Sequence, residues 1–356
     1  MRASGRAYMG KVRFATIGSS GICEQFITAL SDVEGAELVG CCSRDASRAR
    51  EFADAHGAEL SFGGVAELCA SDAVDAVYIA SPNSAHAAQA LAAISCGKHV
   101  LVEKSFSANE RDAEEVFRAA EQAGVVAMEA VRNLHVTTFG QIEREVAALG
   151  RVRLAELSFS KVTSRVAKLR AGERVNIFDP RMAAGALMDI GVYCVAPAVA
   201  LFGEPDSVQA VGVMVDAPGC DAADECSKID LSGVLALGYA DKAVSLAYGK
   251  VSDGKVSCEV QGERATLIWD QVSCPENLRV YDHEDKGQLF RMESGTCRRI
   301  DARPPAHDMA CEISDFVDGV RGRKDLARWR DVTLGTLRVM DEARRQLGVV
   351  FPADLR

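Results

Sequence analysis

The plainest chemistry lies near the start of the chain. A strand-like run, VRFATIG (12–18), passes directly into Gly18-Ser19-Ser20-Gly21-Ile22-Cys23 and then into an amphipathic stretch. A dinucleotide pyrophosphate needs a tight turn, a close approach of bare backbone and a helix N-terminus aimed at it. Gly18 suits the turn and Gly21 the close approach, with Ser20 and Ile22 completing the loop. Ser20 stands where a second glycine is usual and Cys23 where a third is, so the fingerprint is degenerate. By itself it also fits an ordinary glycine-bearing strand-to-helix loop; its place in the first unit of an alternating chain favours the nucleotide. About 20 residues further on, where an acidic side chain would take the ribose hydroxyls of NAD, the second strand-like run ends in Ser43 and Arg44. An arginine there can pair with a 2′-phosphate and lie over the adenine. The expected cofactor is therefore NADP in preference to NAD, against the plainer reading of Arg44 as a solvated side chain at a helix start.

The elements that must hold this loop alternate. Strand-like runs at 12–18, 36–42, 75–80, 98–103 and 125–129 are separated by helical patterns, among them 45–55 and the Ala-rich 84–95 that stops at Gly97. Ser107 and Glu110 read as a capping box ahead of Ala113, Val116, Phe117 and Ala120 at helical spacing. Such alternation predicts an α/β domain: a Rossmann-type, doubly wound parallel sheet with helices on both faces. After a helix at 136–149 the pattern changes. Strands at 151–161, 207–216, 229–239, 242–251, 256–261, 264–270 and 278–283 follow one another with few helices between. That predicts an α+β domain with an open, mostly antiparallel sheet covered on one face. The domains expected are 1–128, for the dinucleotide, and 129–356, for the substrate. The last helix (330–347), with Leu334, Leu337, Met340 and Leu347 as its stripe, is expected to be able to pack back on the first domain.

Composition narrows the classes. The 356 residues carry a formal charge of -10, with 26% charged and 48% hydrophobic, which suits a globular protein and argues against nucleic acid or an anionic membrane as partner. No apolar run is read as long enough to span a bilayer. MRASGRAYMG lacks the apolar stretch of a secretory signal and reads as a tail ahead of the first strand. The twelve cysteines are scattered, without a C-x-x-C, so reduced buried thiols in a cytoplasmic protein are expected, and no metal site.

Three further segments, YIASPNSAHA (78–87), VEKSFS (102–107) and GALMDIGVY (185–193), join the N-terminal loop in a combination that resembles the glucose-fructose oxidoreductase, inositol dehydrogenase and rhizopine-catabolism (Gfo/Idh/MocA) family. The likeness covers most of 12–130 and then 176–203. It implies that Ser81, Pro82, Asn83 and His86 line the nicotinamide side of the cleft. It also implies that Glu103-Lys104 supplies a lysine shared by cofactor and substrate, and that Asp189 and Tyr193 act from the second domain. The family usually has proline where this chain has Ser105, which bears on the loop geometry. Many members have histidine where it has Tyr193, and the tyrosine form looks more like the dihydrodiol dehydrogenases and related sugar-oxidising branches.

The chemistry is consistent with that resemblance. Moving a hydride at a carbon that bears oxygen requires a proton to move on the oxygen, and a desolvated lysine or a tyrosine beside a cation can carry it. Asp189, four residues before Tyr193 and on one face if the segment is helical, can orient the substrate hydroxyl or hold the lysine. Lys104 as a surface lysine, Asp189 as a cap and Tyr193 as a core aromatic are the plainer alternatives. Arg132, Arg165 and Asn176 are expected to meet a polyhydroxylated or anionic substrate, with His135 ambiguous. The expected activity is hydride transfer between NAD(P) and a secondary alcohol of a sugar, polyol or dihydrodiol-like small molecule. A homo-oligomer, dimer or tetramer, is expected through the open sheet. The competing readings are an NAD-retaining glycosidase of the same fold and a non-catalytic nucleotide sensor.

Overall fold

The structure, a computed structural model, describes residues 10–221, 223–283, 296–303 and 305–356. The N-terminal tail read from the sequence lies, but for Gly10, outside them. The chain divides into two units. One comprises the described residues up to Val131 with His307–Leu337 and Ala353–Arg356; the other comprises those of Arg132–Ala306 and Arg338–Pro352.

In the first unit β1 (Val12–Ile17), β2 (Ala36–Cys42), β3 (Leu60–Phe62), β4 (Ala76–Ile79), β5 (His99–Glu103) and β6 (Ala127–Ala130) form a parallel sheet in the order β3-β2-β1-β4-β5-β6. Its helices are α1 (Gly21–Leu30), α2 (Ala46–Ala55), α3 (Val65–Cys69), α4 (Asn83–Ser95) and α5 (Glu110–Ala123). The strands read as unbroken apolar runs because both faces are buried. Val77, Ile79, Val100 and Val102 pack into one core with Ala113 and Val116 of α5. Ala76, Tyr78 and Leu101, on the opposite phase, pack into another with Phe14 and Phe26. The chain winds outward from β1 to β3 and returns at β4, so the strand order reverses between β1 and β4.

The expected capping box before α5 is not what caps it. Asn109 is the cap, its Oδ1 accepting from Asp112 N at 3.0 Å, while the Ser107 hydroxyl donates to Asn109 O at 2.6 Å. Asparagine caps as well as serine and stands directly before the first turn. Strand β3 and helix α3, at three and five residues, are too short to show a period and were not anticipated.

The second unit holds α6 (Arg132–His135), α7 (Thr137–Ala148), β7 (Val152–Ser160), α8 (Val166–Arg170), α9 (Val192–Phe202), β8 (Ser207–Asp216), β9 (Lys228–Gly238), β10 (Ala243–Gly249), β11 (Cys258–Gly262), β12 (Ala265–Asp270), β13 (Glu276–Asp282) and β14 (Cys297–Arg299). Its eight-stranded sheet runs β14-β13-β12-β11-β7-β10-β9-β8, antiparallel except between β7 and β10. Val244, Leu246 and Tyr248 of β10 are buried while the residues between them are more exposed, as expected of a sheet covered on one face. Helix α10 (Met309–Val320) belongs to the first unit, and α11 (Ala327–Leu347) runs from the first into the second.

One expectation fails here. Pro180–Phe202 is a 23-residue helical stretch of mean hydropathy 1.8, long and apolar enough to cross a membrane by length and composition. Asp189 interrupts it without lowering the mean much. Of its most apolar window 72% is buried, so the stretch serves as the core helix of this unit. Beyond it, the last turn of α11 lies along β8. Gln346 Nε2 donates to Val208 O and Ala210 N donates to Gln346 Oε1, both at 2.8 Å.

Candidate active site

The first unit gathers the expected nucleotide residues at the carboxyl ends of its strands, on either side of the order reversal, where open parallel sheets bind ligands. Gly18 has φ +122 and its N–H donates to Cys42 O at 3.0 Å. A Cβ there would lie 2.9 Å from Ala80 O, so only glycine fits. Ser20 is the N-cap of α1, and nothing but Glu24 Oε2, at 4.0 Å, approaches a Cβ built on Gly21. That bare helix start fits a pyrophosphate. Cys23, in place of a third glycine, is instead a core residue whose thiol burial pushes up to about 11; Ile22 packs beside it. Ser43 N donates to Phe62 O at 3.2 Å, and Arg44 is exposed. Asp45 caps α2, taking the Arg48 N–H at 3.1 Å. Arg48, which sequence reasoning passed over, extends Nη2 to Ser19 O at 3.2 Å, setting a guanidinium against the glycine loop.

Ser81 and Pro82 lead into α4, which starts at Asn83, and the Ser81 hydroxyl donates to Gln89 Oε1 at 2.7 Å. His86 is fully buried. Its Nδ1 lies 2.9 Å from Ser105 O and its Nε2 2.8 Å from Ser81 O, so the ring ties two loops together. Burial holds its pKa below the ordinary value, with the two carbonyls opposing that. Glu103 ends β5 and accepts from the Tyr78 hydroxyl at 2.5 Å; burial and this carboxylate raise the Tyr78 phenol well above its usual range. Lys104 follows, half-buried, and its peptide to Ser105 is cis. Beneath this turn lies Glu129 of β6, also missed from sequence. It accepts from Phe106 N at 2.8 Å and from the Thr333 hydroxyl at 2.9 Å, and burial pushes its carboxyl up to about 7.

The second unit carries Asp189 and Tyr193. They do not share a regular α-helix, as the spacing had suggested they could. Leu187–Gly191 is a single π-helical turn, and α9 begins after it. Asp230 of β9 starts that turn, accepting from Ala186 N at 3.1 Å and Leu187 N at 2.7 Å. Its carboxyl is raised by burial, against these N–H groups and the nearby Lys250 charge. Gly185 has φ +127, and a Cβ there would lie 2.2 Å from Asp230 Oδ1. Asp189 pairs with Lys250, the residue just after β10. Tyr193 is half-buried and meets Phe159 edge-on, ring centroids 5.7 Å apart. Pro197, one turn later in α9, has no N–H for the Tyr193 carbonyl. The buried Asn133 side chain donates there instead, at 3.3 Å, and to Val272 O at 2.9 Å. Of the expected substrate residues, Arg132 opens α6, Arg165 is exposed ahead of α8, and Asn176 is exposed at the start of a short 3₁₀ turn. Among the described residues no group of three or more His, Cys, Asp or Glu side chains could hold a metal ion.

A doubly wound nucleotide-binding unit and a second unit built on an open antiparallel sheet define a two-domain, dinucleotide-dependent oxidoreductase. The family model described as "Oxidoreductase family, NAD-binding Rossmann fold" matches residues 12–131, and that of the GFO/IDH/MocA C-terminal domain matches 145–268. The chain belongs to the Gfo/Idh/MocA family of NAD(P)-dependent oxidoreductases. It is 36% identical over 345 residues to scyllo-inositol 2-dehydrogenase (NADP(+)) IolU of Bacillus subtilis, covering 96% of this chain and 99% of that protein. It is 25% identical to trans-1,2-dihydrobenzene-1,2-diol dehydrogenase of Danio rerio, covering 96% and 99%. Among solved structures, KijD10, a 3-ketoreductase from Actinomadura kijaniata in complex with NADP and TDP-benzene, shares the fold at a TM-score of 0.77 and 23% identity, over 95% of this chain and 98% of that one.

Proposed function

We infer that the protein is an NADP-linked dehydrogenase or reductase acting on a ring-borne secondary alcohol of a cyclitol, other polyol or sugar. The observation that carries the cofactor choice is the pair of guanidinium side chains at the ribose end. Arg44 is exposed where an acidic side chain would take the ribose hydroxyls of NAD, and Arg48 leans on the glycine loop. The names of IolU and of the NADP-bound KijD10 support the same choice. When bound, the nicotinamide gives or takes the hydride. The protein's own part is the proton and the positioning. Lys104 and Tyr193 are assigned to move the proton on the substrate oxygen, and Asp189 to accept the hydroxyl and orient it. Ser81, Pro82, Asn83, His86 and Glu103 shape the nicotinamide side, while Arg132, Arg165 and Asn176 meet the substrate's other hydroxyls. Twelve unbridged cysteines fit a reducing, cytoplasmic setting. The exposed Val211, Val213 and Val234 on the open sheet are the surface assigned to self-association, as a dimer or tetramer.

The test is a panel of inositols, aldoses and dihydrodiols offered with NADP⁺ and with NAD⁺, followed at the nicotinamide absorbance. A cyclitol or sugar should turn over, with the higher kcat/KM on NADP⁺. Cleavage of an activated glycoside with no net change in cofactor would replace this reading with an NAD-retaining glycosidase of the same fold. Tight nucleotide binding without turnover of any panel member would make the protein a sensor.

A further inference from the structure

The second unit buries a cation that no part of the reaction above uses. Lys250 follows β10, and the alternation that turns Val244, Leu246 and Tyr248 into the core turns Lys250 inward with them. Its side chain is 1% exposed, its ammonium sits 5.6 Å from the centre of the Phe178 ring, and its ion-pair partner is Asp189, 37% exposed. Behind it lies Asp230, which reaches the same face because the β8–β9 register shifts between Val213 and Met214. Asp230 is committed to the two backbone N–H groups that start the π-helical turn. The ammonium therefore has a fixed carboxylate on the interior side and a solvent-facing one on the other. A lysine this deep is costly unless paired, and one removed from solvent cannot reach a substrate.

We propose that Lys250 is the positioning residue for Asp189: it holds one carboxylate oxygen against the sheet, so that the group meets the substrate hydroxyl in a single orientation. This rests on the assignment of Asp189 to the reaction. A carboxylate on a helix turn can take more than one orientation, and the buried ammonium fixes which of its oxygens faces the sheet. With one oxygen pinned to a buried ammonium, the carboxylate keeps its direction, and the π-helical turn sets where along the helix that direction starts. Lys250 acts through Asp189 and touches no reacting atom.

The test is a kinetic cycle with the best panel substrate and NADP⁺, using K250M, K250R, D189N and K250M/D189N. K250M should lower kcat by 10- to 100-fold with NADP⁺ affinity changed less than threefold. K250R should recover most of the loss, and K250M should cost less than threefold when added to D189N. Because K250M leaves Asp230 buried without its cation, K250M/D230N is compared with D230N in parallel; the kcat loss attributed to Lys250 should persist in that pair. Native kcat in K250M, or an undiminished K250M loss in the D189N background, would overturn the proposal and leave Lys250 a support of the fold. Native kcat in D189N alone would instead overturn the catalytic role of Asp189, and this inference with it.

Discussion

Replacing Glu129 with Gln should remove a pH dependence of stability that the wild-type chain carries near neutrality. The Glu129 carboxyl is 4% exposed, receives N–H and hydroxyl donors but forms no ion pair among the described residues, and is raised from 4.5 to about 7. A raised carboxyl binds its proton more tightly in the folded chain than in the unfolded one. Stability from this group is therefore full at pH values below the unfolded pKa, falls as pH rises through the interval, and stays lost above the folded pKa. A rise of about 2.5 units at about 1.4 kcal/mol each makes the loss about 3 kcal/mol. The amide keeps an acceptor for Phe106 N and lets the Thr333 hydroxyl turn to accept, at a cost of about 1 kcal/mol for the weaker bonds. Urea denaturation of both proteins at pH 5, 6.5 and 8 isolates the group, because titrations common to both, including that of His86, cancel in the difference. At pH 5 about 0.8 kcal/mol of the wild-type contribution is already lost, so the two proteins should agree there within a few tenths of a kcal/mol, and the variant should be about 2 kcal/mol more stable at pH 8. Parallel pH profiles for the two proteins would refute the reasoning.

Arg44→Ala should weaken NADP by about 1.5 to 3 kcal/mol, the size of a charge-assisted contact, and leave NAD nearly unchanged; isothermal titration with equal losses for both would sink the assignment. Lys104→Ala should lower kcat at least ~10²-fold with the fold intact, and Tyr193→Phe should be strongly non-additive with it; steady-state turnover of Lys104→Ala at the native rate removes the proposed mechanism. Asn133→Ala leaves the Tyr193 and Val272 carbonyls without their side-chain donor, so chemical denaturation should show a loss of about 1 to 3 kcal/mol. A loss below about 0.5 kcal/mol would show that the carbonyl freed by Pro197 finds another donor.

The parallel sheet was legible because its strands are apolar on both phases and its helices are long enough to repeat. The glycine loop was legible because Gly18 alone can take its backbone angle beside Ala80. What escaped reading was polar and isolated. Lys250 looks like a strand-end lysine until the buried phase of β10 is followed one step past Tyr248. Glu129 is a single carboxylate in a strand of small and apolar residues, and its partners Phe106 and Thr333 lie 23 and 204 positions away. Arg48 could have been found as the first-turn residue whose N–H the Asp45 cap receives. The π-helical turn at Leu187–Gly191 could not, since it depends on Asp230 from a strand later in the chain.

The amide of Gln346 has a consequence for how this sheet meets other chains. Strand β8 is the last in its order, and an edge strand offers a row of N–H and C=O groups on which a foreign strand can grow. Gln346 answers Val208 O with a donor and Ala210 N with an acceptor, the same pair of bonds that one residue of a parallel strand would make. Next to it, Leu347 stands 3.0 Å from where a Cβ on Gly212 would project. Over this part of the border the chain's own side chains occupy the edge, so a foreign strand could pair with Val208 and Ala210 only by displacing Gln346.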